Sequence, residues 1–179
     1  MAVSTYYFDG SDAGATDPDG VWLNDSNAFD GSTGTSASTS GANSSDWGST
    51  STKYLKAEGT NAPGSGGEIT QVRVRLYGSG DEQTGVSYGK AAVYTDGLSE
   101  LLGTAVNTLG GGPPPGWSDY TTLSAPTGGW TWAKIQALEV KIYNDNYVLN
   151  GDFSVFRVEI EVTYSETVSY TSPFPAFRA

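Results

Sequence analysis

The segment EITQVRVRLYG alternates apolar and polar side chains: Val72, Val74 and Leu76 fall on one side of an extended chain, Arg73, Arg75 and Tyr77 on the other. Successive strand residues point to opposite faces, so this rhythm predicts a half-buried antiparallel strand. The pattern recurs in WAKIQALEVKIYN, where Leu138, Val140 and Ile142 oppose Glu139, Lys141 and Tyr143. It recurs again in DFSVFRVEIEVTY, where Phe156, Val158, Ile160, Val162 and Tyr164 are expected inside and Arg157, Glu159, Glu161 and Thr163 outside. Shorter runs bounded by Gly, Pro, Asn, Asp or Ser add STYYF, GVWLN, KYLKAEG, YGKAAVYTD, LLGTAVN and WSDYTTLS. No window sustains an amphipathic helical stripe, and LSELLG has room for a single turn. About eight or nine short strands separated by turn signals predict an all-β fold, an antiparallel two-sheet β-sandwich or jelly roll.

Residues 9–52 are rich in Gly, Ser and Thr, but Trp22, Phe29 and Trp47 within them call for packing. This tract is expected to form long loops and short edge strands laid over the sandwich. LGGGPPPGW cannot enter a sheet, because Gly is too free and Pro lacks a ladder donor, so it is expected as an exposed loop. After Tyr164 the alternation stops. The organisation expected is one sandwich domain over residues 1–164 and an extended C-terminal arm over residues 165–179. In that arm Tyr170, Phe174 and Phe177 are interleaved with Pro173 and Pro175. Such an arm reaches about 50 Å when extended and suits a groove on a neighbouring subunit; Tyr170, Phe174, Pro175 and Phe177 are the docking candidates.

The chain of 179 residues has neither cysteine nor histidine, which removes disulfides, thiol nucleophiles, Cys/His zinc sites and any Ser-His-Asp triad. Nine basic residues against twenty acidic give a net charge of −11, unfavourable for nucleic acid. The Met-Ala-Val-Ser start does not read as a secretory signal, and no stretch is apolar enough for a helical membrane span. Neither a nucleic acid nor a membrane is expected as partner.

FDGS occurs twice, at residues 8–11 and 29–32. An Asp-Gly pair is a turn former, because Asp bonds its own backbone and Gly accepts positive φ; on that reading the two copies only close two loops. The alternative is calcium, for which Asp30 and nearby hydroxyls supply hard oxygens and Glu159 or Glu161 completes the shell. ATDPDG does not fit the EF-hand loop, since Ala15 and Ser26 stand at its first and last ligand positions. The longer segment SNAFDGSTGTSAST resembles the early loop of discoidin-type, galactose-binding-like jelly rolls, in which an Ala-x-Asp-Gly segment followed by Thr helps bind structural calcium. The resemblance implies Asp30 and Thr35 as calcium ligands; Ser38 and Thr39 stand near where that motif closes on a Trp. Glycan recognition does not carry over from it. LKAEGTNA, AAVYTDG, GWTWAKIQALEVKIY and FRVEIEVTY are similar to phrases of β-sandwich proteins from the structural gene blocks of tailed bacteriophages, which implies a virion component; with no secretory signal read at the start, it is expected to be made in the host cytoplasm.

Paired carboxylates are the catalytic chemistry still open, and Glu159 and Glu161 are the obvious pair; across a sheet they are more naturally met by Arg73, Arg75 or Lys141. Trp117, Tyr120, Trp130 and Trp132 lie near two Gly-rich loops and either stack on sugars or fill the ends of the sandwich. The sequence therefore points to a non-enzymatic structural component of a virus particle, a capsid decoration or tail-associated protein that docks on copies of itself or on other virion proteins. A carbohydrate-binding module and a self-assembling extracellular filament are the alternatives.

Overall fold

A computed structural model describes residues 1–10, 14–16, 22–39, 54–80, 89–107, 114–144 and 153–166. Two antiparallel sheets face each other. The larger has seven strands and is built on the pairing of β6 (Ile69–Gly80) with β12 (Phe153–Tyr164). Along one side of that pair run β9 (Gly116–Trp117) and β10 (Thr121–Thr122); along the other run β1 (Ala2–Tyr7), then β4 (Ala37–Thr39) with β3 (Trp22–Leu23) outside it. The smaller sheet holds β2 (Gly14–Thr16), β5 (Leu55–Glu58), β11 (Glu139–Asn144), β7 (Gly89–Tyr94) and β8 (Val106–Asn107), in the order β2-β5-β11-β7-β8.

The alternation read from the sequence builds the core. Val72, Val74 and Leu76 of β6 and Val158, Ile160 and Val162 of β12 are fully buried, each worth about 1.5–3 kcal/mol of removed apolar surface. Opposite them lie Leu55, Ala57, Ala91, Val93, Val140 and Ile142 of the smaller sheet. Phe153 reaches across to Gly89 so closely that a Cβ there would fall 1.8 Å from its ring. Trp22 meets Phe153 edge-on at 6.0 Å, tying the loop-rich tract to the core.

Three expectations need correction. Phe156 does not face inward: the register jumps between Val155/Arg157, a β-bulge that moves the buried set from Phe153 and Val155 to Val158, Ile160 and Val162 and leaves Phe156 against Tyr77 at 5.5 Å. The segment before Leu138 is not strand. Trp132–Gln136 forms a short helix, α1, which Thr131 caps by accepting from the Lys134 amide at 3.2 Å. The strand count also rises: among the described residues twelve strands form where eight or nine were expected, since the loop-rich tract holds the short strands expected of it, β2, β3 and β4, with β4 inside the sheet between β12 and β3 rather than at its edge.

α1 closes one end of the sandwich. Trp132 is buried between Tyr6 and Tyr164, with ring centroids at 6.1 and 5.1 Å, and donates its indole N–H to the Gly67 carbonyl at 2.8 Å. Glu68 and Ser165 then exchange two bonds, Ser165 N–H to Glu68 O and Glu68 N–H to Ser165 Oγ, so Ser165 belongs to the sandwich rather than to an arm. The arm candidates Tyr170, Phe174, Pro175 and Phe177 lie outside the described residues, as does Trp47.

The outer face of the smaller sheet sets Lys56 directly opposite Lys141. Their repulsion is met by Glu58, which pairs with Lys56, and by buried Glu139, 3.5 Å from the same ammonium and also bonded by the Gly97 amide. Burial alone would lower the Lys56 pKa, but the hydrogen bond to Glu58 and the charges of Glu139 and Glu58 outweigh it and raise it. Burial lowers that of Lys141, reinforced by Lys56 and opposed by Glu139. Lys56→Met strands the Glu139 charge and is expected to cost about 3 kcal/mol, read as a lower urea midpoint at unchanged slope. The Lys56 contribution is present below the ordinary value of 10.5 and is lost as pH rises through the higher folded value, so the gap between variant and wild type narrows in alkali.

Candidate functional site: an aromatic and arginine face

The side chains that the alternation turns outward on β6 and β12 form rows across the larger sheet. Thr5, Glu161 and Arg73 are in register in one row, and Tyr7, Glu159 and Arg75 in the next. A third holds Arg157, Tyr77 and Trp117. Each β6 arginine grips the carboxylate opposite it. Arg73 donates Nε and Nη2 to Glu161 Oε1 at 2.9 and 2.5 Å, and Arg75 donates Nε and Nη2 to Glu159 Oε2 at 2.9 and 2.7 Å. Arg157 Nε stands 2.9 Å from Glu159 Oε1, a charge contact without hydrogen-bond alignment, while its Nη1 donates to the Gly31 carbonyl at 2.7 Å.

The rings lie over these charges. Arg75 sits 3.9 Å from the Trp117 ring centre, and Tyr120 spans Arg73 at 4.7 Å and Arg75 at 4.6 Å. Tyr77 packs against Trp117 with centroids at 4.9 Å, and Arg157 covers Tyr7 at 4.6 Å. Such cation–π contacts contribute about 0.5–2 kcal/mol each, more as water is excluded. Burial raises the Tyr120 pKa; Glu159 and Glu161 add to the rise, and Arg75 with the hydrogen bond to Thr5 opposes it. The phenol is therefore neutral at physiological pH and keeps its proton.

Ser118 positions both rings. It is buried, exchanges hydrogen bonds with Leu76 (Ser118 N–H to Leu76 O at 2.8 Å, Leu76 N–H to Ser118 Oγ at 3.0 Å), and so pins the loop carrying Trp117 and Tyr120 to the sheet. Nothing in the sequence marks it, since a serine between two aromatic residues in a turn-rich loop has no distinguishing pattern. Arg73, Arg75, Tyr77 and Arg157 were visible as outward residues, but nothing linked them to Trp117 and Tyr120.

The other sugar-binding candidates are elsewhere. Trp132 is core, and Trp130 is half-buried against the core beside α1. Near α1 a cleft of about 440 Å³ has Glu100, Thr127 and Lys134 in its lining. These groups hold two loops together: Lys134 donates to the Thr127 and Gly129 carbonyls, and Glu100 accepts from the Thr127 amide.

The Asp30 loop is a self-bonded turn. Asp30 accepts from the Ser32 amide at 2.7 Å and from Thr35 Oγ1 at 2.5 Å, and Gly31, at φ +76°, passes beneath the Tyr7 ring, where a Cβ would fall 2.7 Å from it. Gly10 in the first FDGS copy also has positive φ, and Phe8 and Phe29 are both buried, so the two copies do the same work of burying a ring and turning the chain. Asp30 and Thr35 are brought together, but Glu159 and Glu161 are held by arginines, and the Gly31 carbonyl already faces the Arg157 cation. Among the described residues no group of three or more acidic side chains converges. This donor set does not fit a calcium shell of about six to eight oxygens.

Fold and site together define an antiparallel β-sandwich carrying a mixed aromatic and arginine face on its larger sheet. No known protein family and no curated protein matches the chain. Among solved structures it is similar to the N-terminal CBM22-1–GH10 modules of endo-1,4-β-D-xylanase 10B from Clostridium thermocellum, complexed with xylohexaose, at 14% identity and a TM-score of 0.35. The match covers 74% of this chain and 25% of that one, so this chain spans about a quarter of that protein. A likeness at that level assigns neither a ligand nor a role.

Ser118→Ala leaves the buried Leu76 amide without its side-chain acceptor and is expected to cost about 1–3 kcal/mol. Denaturant midpoints measure the loss, and a red shift of tryptophan emission before global unfolding reports release of Trp117.

Proposed function

We propose that the protein is a non-enzymatic recognition sandwich that binds a neutral glycan on the outer face of its larger sheet, with Trp117 and Tyr120 as stacking rings. One observation carries this reading: half-buried aromatic rings converge there with guanidinium and carboxylate groups whose charges largely cancel. A sugar offers C–H faces suited to aromatic rings and hydroxyls that donate and accept. In their ion pairs Arg73 and Arg75 each keep Nη1, and Glu161 keeps Oε2, outside any hydrogen bond among the described residues. A polyanion is disfavoured by the net charge of −11. On a glycan array, wild type is expected to be retained by neutral oligosaccharides, with Trp117→Ala and Tyr120→Ala each about tenfold weaker for loss of roughly 1.4 kcal/mol of ring contact. Absence of retention by wild type, or retention indifferent to both substitutions, defeats the reading.

A second reading, a structural component of an assembled particle such as a phage capsid or tail, is supported by the aromatic, proline-spaced sequence that follows Ser165. The two bonds between Ser165 and Glu68 tie the chain to the sandwich just before that sequence begins. Deleting residues 167–179 is expected to leave the melting temperature unchanged and to abolish incorporation into particles; unchanged particle occupancy counts against this role.

A further inference from the structure

We infer that β1 is a docking edge for a second copy of this chain, the two β1 strands pairing antiparallel with Val3 opposite the partner's Thr5. Phe8 donates its amide to Val158, so the even-numbered residues of β1 turn their backbone groups toward β12 and the odd-numbered ones turn theirs away. Tyr7 confirms the direction: its N–H goes to Asn61 Oδ1 at 2.8 Å and its carbonyl accepts from the Asn61 amide at 3.1 Å. Val3 and Thr5 face the same way, and among the described residues nothing pairs with their N–H and C=O groups. The other outer strands are blunted by shortness, three residues in β2 and two each in β3, β8, β9 and β10, whereas β1 has six. Strands left at an edge are normally protected by a charge, a proline or a bulge. AVSTYY has none of these, and Val3 is 58% exposed.

The occupant follows from symmetry and charge. An antiparallel register that sets Val3 against the partner's Thr5 is its own mirror under a two-fold axis through Ser4, so one short edge satisfies two copies at once with four backbone bonds. In a chain of net charge −11, an uncharged strand is where two copies approach with least repulsion. This inference is independent of any glycan.

Sedimentation and light scattering across a concentration series are expected to show the wild-type mass doubling, with the Val3 and Thr5 amides becoming protected from hydrogen exchange as it does. Thr5→Pro removes an outward N–H that the fold does not use and is expected to give a monomer with an unchanged circular dichroism spectrum. The double substitution Val3→Lys/Thr5→Lys, which leaves the backbone intact and sets like charges against each other across the pair, is expected to do the same. A wild type that stays monomeric throughout the series, or a dimer that survives the double lysine substitution, overturns the proposal.

Discussion

The pairing of β6 with β12 is the constraint from which the rest of the structure follows. These twelve-residue strands run through the middle of the larger sheet, and one register decides both of its faces. With Val72 against Val162, Val74 against Ile160 and Leu76 against Val158, the inner face is aliphatic; the same register sets Arg73 against Glu161 and Arg75 against Glu159 outside. A slip of one residue would turn one of the two strands over, burying Arg73 and Arg75 or Glu159 and Glu161 and exposing three aliphatic side chains, which selects against that pairing. The bulge at Phe156 is part of this arrangement. By shifting the parity of β12 it buries Phe153 and Val155 at one end while Val158, Ile160 and Val162 remain buried at the other.

The outer face owes its order to the same pairs. A guanidinium that donates two bonds to one carboxylate is fixed in plane, and a fixed plane is what a ring stacks upon. Trp117 and Tyr120 rest on Arg75 and Arg73 because Glu159 and Glu161 hold those arginines flat against the sheet. Carboxylates that sequence spacing offers as calcium ligands or as a catalytic pair serve here as supports for cations. Solvent access decides how much each pair stabilises: Glu159 is 6% exposed and Glu161 14%, so the Arg75 pair is the less screened of the two.

The legible parts of this sequence were those where a period runs long enough to be unambiguous. β6, β11 and most of β12 stood out because the two-residue rhythm persists and one face is greasy. The bulge was invisible, since alternation counted back from Val162 assigns Phe156 to the core and only the pairing with β6 reveals the extra residue. α1 was missed because a five-residue helix shows less than two turns of period and its cap, Thr131, sits in a run of aromatic residues. The four aromatic residues near the Gly-rich loops formed one candidate group in sequence. Their separation into the pair Trp117 and Tyr120 on a sheet face, Trp130 at the margin and Trp132 inside depends on Ser118 and Gly67, whose contacts are long-range and leave no local signature.

The aromatic and arginine face and the β1 edge bear on one another through geometry. Thr5 and Tyr7 belong both to the outer rows and to the strand proposed to pair, and in that register the odd-numbered side chains of both copies lie on the same side of the joined sheet. The two-fold axis then stands perpendicular to the sheet, so two aromatic and arginine faces are presented side by side toward one surface rather than back to back. On the glycan reading proposed above, a face built from a few half-buried rings would hold a single sugar chain weakly. Two such faces fixed on one sheet turn the second contact into an intramolecular one, which raises retention on a repetitive surface by about two to four orders of magnitude when the spacing matches. Pairing through β1 would thereby convert a modest site into an adhesive one without adding a residue to it.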